Sequence, residues 1–325
     1  MKAHYKWVDR AKGIGMILVV LGHALADTML NGRQDVISQM LFHVIYSFHM
    51  PLFFFLSGFC GAKALEMIEG RQKIQYISLR FKRLMIPYFF VGLLYVPLKV
   101  ILSGEVNTKI NLQTLPLDFV LGNNPNFQLW TLYALFISAT MTCLLANIGY
   151  KVILGVALGL CILSMFISCP ITIISQVMFQ FFFYVCGVVY RRRSAERQTT
   201  TYVMLTTLII FIVANMIREV TGVEQVKMIT GIAGILFVCE SCKRMPLKEN
   251  SMLDIIGKYS MDIYIMANLV QVLVRSVCVY KLQMPAIVCC IISTVLGIVL
   301  PIIVSKYLVR RMKIFKGFVL GEFSR

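Results

Sequence analysis

Apolar runs of about 17 to 25 residues, separated by short polar connections, recur from one end of the chain to the other. Each is long enough to cross a bilayer as a helix. The pattern predicts about ten such spans, at residues 12–30, 38–60, 84–104, 127–147, 150–167, 170–190, 202–218, 226–242, 259–279 and 285–308. No soluble segment of any size, no low-complexity tract and no internal repeat interrupts them. Residues 1–325 therefore read as a single all-α integral-membrane domain, a polytopic helical bundle.

Composition agrees with that solvent. The chain is 58% hydrophobic and 14% charged, with a mean hydropathy of +0.79, where a soluble domain carries roughly 25% charged residues. A net charge of +17 would suit nucleic acid, but no polar domain presents a basic patch, so nucleic acid is excluded as a partner. The cations instead mark sidedness. Most of the 32 Lys and Arg residues fall on alternate connections, whereas the opposite set holds only Arg33, Lys109, Arg218, Lys227, Arg275 and Lys281. The positive-inside rule then places both termini in the cytoplasm, as an even number of spans requires. A basic start, an apolar core and Ala24-Leu25-Ala26 also fit a cleaved signal peptide, whose removal would discard Lys12 and His23.

Ten cysteines are scattered singly through apolar segments, without CxxC pairs or secreted spacing, and read as helix-packing residues. All four histidines (His4, His23, His43, His49) precede residue 50, but no acidic or thiol ligands stand beside them at metal spacing, so no metal is expected.

The chemistry gathers on a few stretches. In Lys12–His23 (KGIGMILVVLGH) a cation opens an apolar run that an imidazole closes. Eleven helical steps put the two on one face, about 16 Å apart. An ionisable group held inside the hydrocarbon is costly unless paired or used. Asp27, one turn beyond His23, can either orient its imidazole as a carboxylate does for a catalytic base or lie solvated at the outer boundary. The second span carries His49, then Pro51, then Ser57-Gly58-Phe59: a kinked segment with small residues, whose freed polar groups can face a cavity or simply pack. Arg80 and Arg83, three apart, suit either phosphate or anionic lipid. Asn126 and Trp130, at the end of the longest external loop, suit a sugar ring or an interfacial anchor. Lys258 and Asp262, four apart, are expected to neutralise each other, and Asn268, Gln271 and Arg275 continue a polar stripe facing the bundle interior.

In this order and at these spacings, KGIGMILVVLGH, FHMPLFFFLSGF, RFKRLMIPYF, LWTLYALF, FFFYVCGVVYRR and GKYSMDIYI resemble the membrane-bound acyltransferase-3 family, and most of all its fucose 4-O-acetylase-like branch. The resemblance covers nearly the whole chain. It implies a multi-pass enzyme of the cell (plasma or inner) membrane, an O-acetyltransferase that moves an acetyl group from acetyl-CoA to a hydroxyl of a surface or secreted glycan or its lipid-linked precursor. It places the family's basic-x10-His signature on Lys12 and His23, its paired-arginine motif on Arg80 and Arg83, and its SGF motif on Ser57, Gly58 and Phe59. With the residues read above, the reaction it implies is expected to use His23 as general base, helped by His49 and Asp27; Lys12, Arg80, Arg83 and Ser57 as donor contacts; and Trp130, Asn126 and Asp262 as acceptor contacts. Two departures stand out: Lys12, where the family often has Arg, and Ala267, where many relatives have His. A transporter or flippase, with His23 and the polar stripe as a solute path, is the rival class, and a scaffold without turnover is a third.

Overall fold

The computed structural model describes residues 5–30, 35–65, 70–101, 111–167, 169–194, 200–246 and 251–323. His4, Arg33, Lys109 and the loop residues 103–110 lie outside them. The described residues form thirteen α-helices and no strand: α1 (Lys6–Leu30), α2 (Val36–Leu65), α3 (Arg71–Ile101), α4 (Leu115–Leu121), α5 (Trp130–Leu144), α6 (Tyr150–Ser164), α7 (Thr172–Ser194), α8 (Thr201–Thr221), α9 (Lys227–Arg244), α10 (Met252–Lys258), α11 (Ser260–Arg275), α12 (Ala286–Val304) and α13 (Lys313–Leu320). The all-α class is therefore as expected, and a helix stands at each of the ten expected spans.

Seven helical segments among the described residues are long and apolar enough to cross a membrane. The charged α1 and α3 and the 15-residue α6 are not among them. The largest shift of a boundary is at α3. Its apolar run starts near residue 84, but the helix begins at Arg71, because the cationic turn ahead of the run has good helix formers and nothing to stop it. Arg80 and Arg83 therefore sit on a helix and not in a connection.

The helices gather into two compact units. One comprises residues 1–56 and 196–305, the other 57–195 and 306–325, so α2 contributes its first part to one and its last part to the other. In the first unit α1 is the central helix, packed against α9, α10, α11 and α12. In the second, α5 packs against α3 and α7, α6 against α7, and α13 against α3.

A buried cation ties the start of α1 to its neighbours. Arg10, 2% exposed, donates through Nε to Asp254 (3.2 Å) and through its two Nη groups to the carbonyls of Met245 (2.9 Å) and Pro246 (2.8 Å). Asp254 is held for this by a capping box: Ser251 Oγ accepts from its backbone N–H, and its carboxylate accepts from the Ser251 N–H and hydroxyl. The stripe expected on the ninth span is buried as expected, with Asn268, Gln271 and Arg275 all under a tenth exposed. Gln271 Nε2 donates to the Val20 carbonyl of α1 at 2.7 Å.

The expected Lys258–Asp262 neighbours are corrected. The helix breaks at Tyr259 between α10 and α11, so the two residues share no helical face. Asp262 is fully buried and accepts from the Ser305 hydroxyl, and Lys258 lies over the Tyr259 ring.

Candidate functional site

In the first unit, three rings from two helices converge. His23 on α1 is half-buried, with Nδ1 3.2 Å from the Tyr46 hydroxyl of α2. Tyr46 and His49, three residues apart, lie on one face of α2 with ring centroids 4.7 Å apart, edge to face. Phe42, one turn earlier, lies against the same phenol at 4.0 Å. Glycine at position 22 lets the helices approach here, since a Cβ would come within 3.0 Å of Tyr46 Cε2 and 3.2 Å of Ile45 Cγ2.

The protonation of His49 follows from its partner. The ring is 3% exposed and its Nδ1 lies 2.7 Å from the Ile45 carbonyl oxygen. A carbonyl only accepts, so Nδ1 carries the hydrogen and Nε2 carries the lone pair. Two residues on, Pro51 lacks the N–H that would bond the Ser47 carbonyl. The buried Thr230 hydroxyl shares its hydrogen between that carbonyl (3.5 Å) and the Lys227 carbonyl (3.1 Å). The kinked stretch is thereby satisfied from α9.

Asp27 is not a loop residue and is half-buried. It lies on α1, and its carboxylate accepts from Arg275 of α11 at 2.5 Å. Ala24, Val274 and Ser293 line the cleft beside this pair. Lys12 is half-buried and pairs with Asp9, 3.7 Å away. His43 stands apart from the cluster, half-exposed and paired with Glu219 at 3.0 Å.

The second unit holds the arginine pair, and each arginine has a different neighbourhood. Arg80 donates from Nε to the Tyr76 hydroxyl at 3.0 Å and lies over that ring at 5.1 Å. Its Nη groups have no acceptor among the described residues. A Cβ at Gly61 would sit 3.0 Å from both Arg80 Nη2 and the Tyr184 hydroxyl, which places these groups together. Arg83 turns to the end of the chain and donates from Nη1 to the Leu320 carbonyl (2.6 Å) and to Glu322 (2.8 Å). Three residues on a helix make neighbours, and here the two guanidinium groups meet different partners.

Arg310 and Lys316 also face Glu322, at 3.6 and 3.5 Å. Partial burial raises the Glu322 carboxyl, but Arg83, Arg310 and Lys316 outweigh it and hold the group below the usual carboxylate range. A carboxyl depressed in the folded chain contributes stability above its unfolded pKa, about 4.3, and loses it as pH falls through the lower folded value. Amide exchange across α13, corrected for intrinsic rate, is expected to rise as the pH drops below about 4; exchange unchanged down to pH 3 would detach Glu322 from the stability of this segment.

The SGF motif is a packing junction. Ser57 is half-buried, Phe59 is fully buried beneath the Arg191 guanidinium at 5.1 Å, and a Cβ at Gly58 would collide with the Tyr184 carbonyl of α7. Gly58→Ala is expected to cost roughly 1–3 kcal/mol, visible as a lower unfolding temperature of the solubilised protein. An unchanged midpoint would mean that α2 and α7 can part freely. Asn126 is fully buried, its Oδ1 accepting from the Gln128 N–H at 3.3 Å, while Asn124 donates to the Tyr88 carbonyl at 2.8 Å. These side chains hold the loop onto α3 and lead into Trp130 at the start of α5.

A family model described as an acyltransferase domain, acyltransferase-3, matches residues 5–304. The chain belongs to the acyltransferase-3 family. The multi-pass helical character already described accords with that membership. Among curated proteins, nodulation protein NolL of Mesorhizobium japonicum is 35% identical over 82 residues, 25% of this chain. The match spans about a fifth (21%) of that relative's own length. No solved structure matches.

Three parts of this candidate site escape a reading by motif. Tyr46 bridges the two histidines, and the only signal for it was its three-residue spacing from His49. Arg275 was visible as part of a stripe but not as the partner of Asp27. Tyr184 stands beside Arg80 from α7, which no spacing rule connects to α3, whereas Tyr76 is one turn before Arg80 on α3 itself.

Proposed function

We propose that this acyltransferase moves an acetyl group from acetyl-CoA to a hydroxyl of a surface or secreted glycan, or of its lipid-linked precursor, in the cell membrane. The observation that carries the reading is the His23–Tyr46–His49 cluster, set in the helical interior of a chain whose family transfers acyl groups. Transfer from a thioester to an alcohol needs a base for the hydroxyl proton, a hold on the donor's phosphates and shelter from water.

His23 is the base in this reading. Its imidazole is the side chain suited to take a proton near neutral pH, and it is half-buried beside a second imidazole. His49, whose lone pair is on Nε2, positions the reacting group. Arg80, whose Nη groups have no acceptor among the described residues, is the phosphate contact in its own unit, and a planar guanidinium suits that role. Lys12 supplies charge near the start of α1, and Ser57 lies on the wall of the donor site. Trp130, Asn126 and Asp262 belong on the acceptor side in the same scheme, although the burial of Asn126 and Asp262 limits them to shaping that site from behind.

The test is direct. Purified protein is incubated with radiolabelled acetyl-CoA and extracted surface glycan, and CoA release is followed with and without the glycan. Glycan-dependent release with label on the glycan is the expected result. Passage of glycan across a vesicle without chemistry, or no response at all, would overturn the reading.

A further inference from the structure

Arg275 closes α11 as a cation buried in an apolar span, 8% exposed. It stands where α1, α11 and α12 of the first unit meet. Gln271, one turn earlier on α11, donates to the Val20 carbonyl and so fixes that turn against α1. From α1, Asp27 accepts from Arg275 Nη1 at 2.5 Å. From α12, Ser293 lines the same cleft as the pair, with Ala24 and Val274. Directly after Arg275 the chain widens into a π turn, Ser276–Lys281, a distortion that recurs at functional sites.

An ion pair in such surroundings needs a reason. Taking two charges out of water costs about as much as their attraction returns, and apolar side chains would pack the space at least as well. Ionisable groups kept inside a membrane mark substrate or ion paths as a rule. Arg275 also has more to offer than the pair uses. A guanidinium only donates, and its N–H groups point in a fixed fork. Nη1 is bonded to Asp27, and no acceptor for Nε or Nη2 stands among the described residues. These donors belong to a residue that lines an open cleft. The carboxylate beside them balances their charge, so the cleft presents hydrogen-bond donors with little net field. An uncharged, oxygen-rich ligand suits it, whereas an anion would be repelled by Asp27. Its place on α1 also matters: Asp27 is one turn beyond His23, on nearly the same face, and lies toward the end of the helix remote from Lys12.

We propose that Arg275 is an acceptor-binding residue: Nε and Nη2 donate to hydroxyl or ring oxygens of an uncharged sugar seated in this cleft, and Asp27 holds the guanidinium in place. The inference rests on the reading of this chain as a glycan acetyltransferase. In that scheme the donor is held near the start of α1 and the sugar toward its other end, with His23 one turn from the bound ring.

In the full-length protein, assayed with acetyl-CoA and extracted surface glycan, Arg275→Gln is expected to raise KM for the glycan about 10- to 100-fold, the worth of hydrogen bonds from a charged donor. KM for acetyl-CoA is expected to stay constant. A pair that served structure alone would behave differently. Asp27→Asn combined with Arg275→Gln leaves no lone buried charge, so it would repair a protein that needed only charge balance. The double variant is expected to keep the raised glycan KM, and an unchanged glycan KM in either protein would overturn the proposal. If neither accumulates in the membrane, Ser293→Leu decides: it fills the cleft from α12 and leaves the pair intact, so a raised glycan KM supports the proposal and an unchanged one overturns it. The unsubstituted protein is expected to accept the glycan equally well after its carboxyl groups are reduced to alcohols; loss of transfer to the reduced glycan would overturn the assignment to an uncharged sugar. Failure of the underlying reading looks different. An unsubstituted protein that releases no CoA with glycan would remove the transferase reading, whereas normal release beside variants with an unchanged glycan KM would remove only the role given to Arg275.

Discussion

Replacing His23 by alanine should abolish acyl transfer while leaving the protein in the membrane. General-base catalysis contributes about 10²- to 10⁴-fold, so a loss of that order is the expected result of removing the proposed base. The structural cost is small by comparison. His23 is half-buried, and beside an edge-to-face ring contact it makes a hydrogen bond with Tyr46 worth about 0.5–1.5 kcal/mol. His49 is a poorer probe, because the ring is buried and bonded into its own helix. Label transfer to glycan and immunoblotted abundance, measured on the same membranes, separate the two effects. A variant that is abundant and fully active would remove His23 from the mechanism.

Replacing Arg10 by alanine should have the opposite signature, loss of the protein itself. The guanidinium is almost fully buried and bonds three acceptors in one plane. Its removal leaves the Asp254 carboxylate with Ser251 alone and takes the donor from two main-chain carbonyls, and breaking a buried pair costs about 3–5 kcal/mol. Asp254 is 20% exposed, which places the expectation at the lower end of that range. Arg10→Lys should be intermediate, since an ammonium keeps the charge but cannot span the three acceptors. Abundance in the membrane and the unfolding temperature of the solubilised protein report the outcome. An Arg10→Ala protein with both unchanged would make this network incidental.

These residues also show what a chain of letters can and cannot convey. The long helices were legible because lipid imposes one rule along the whole chain: runs without charge, broken by polar connections. His23 was legible because an imidazole inside such a run is conspicuous. Arg10 was counted with the other cations of the first connection, since sidedness is a sum and burial is not. Only Gly257 stands near the break at Tyr259, and glycine is common in membrane helices, so the Lys258–Asp262 pairing looked sound until the helix ended between them. Arg83 and Glu322 stand 239 positions apart, and no local period relates them. Tyr46 was hidden for another reason. An aromatic in an apolar span is ordinary, and its importance comes entirely from which ring of another helix stands opposite.

Pro51 and Thr230 belong to that last kind, and their relation reaches into descent. The proline leaves the Ser47 carbonyl without its helical donor, and the threonine of α9 supplies a hydroxyl in its place. A descendant with alanine at 51 regains the amide hydrogen and has no further need of a hydroxyl at 230; one that loses the threonine first inherits an open carbonyl. The two positions thus form a single heritable character, and lineages of this chain should gain or lose them together.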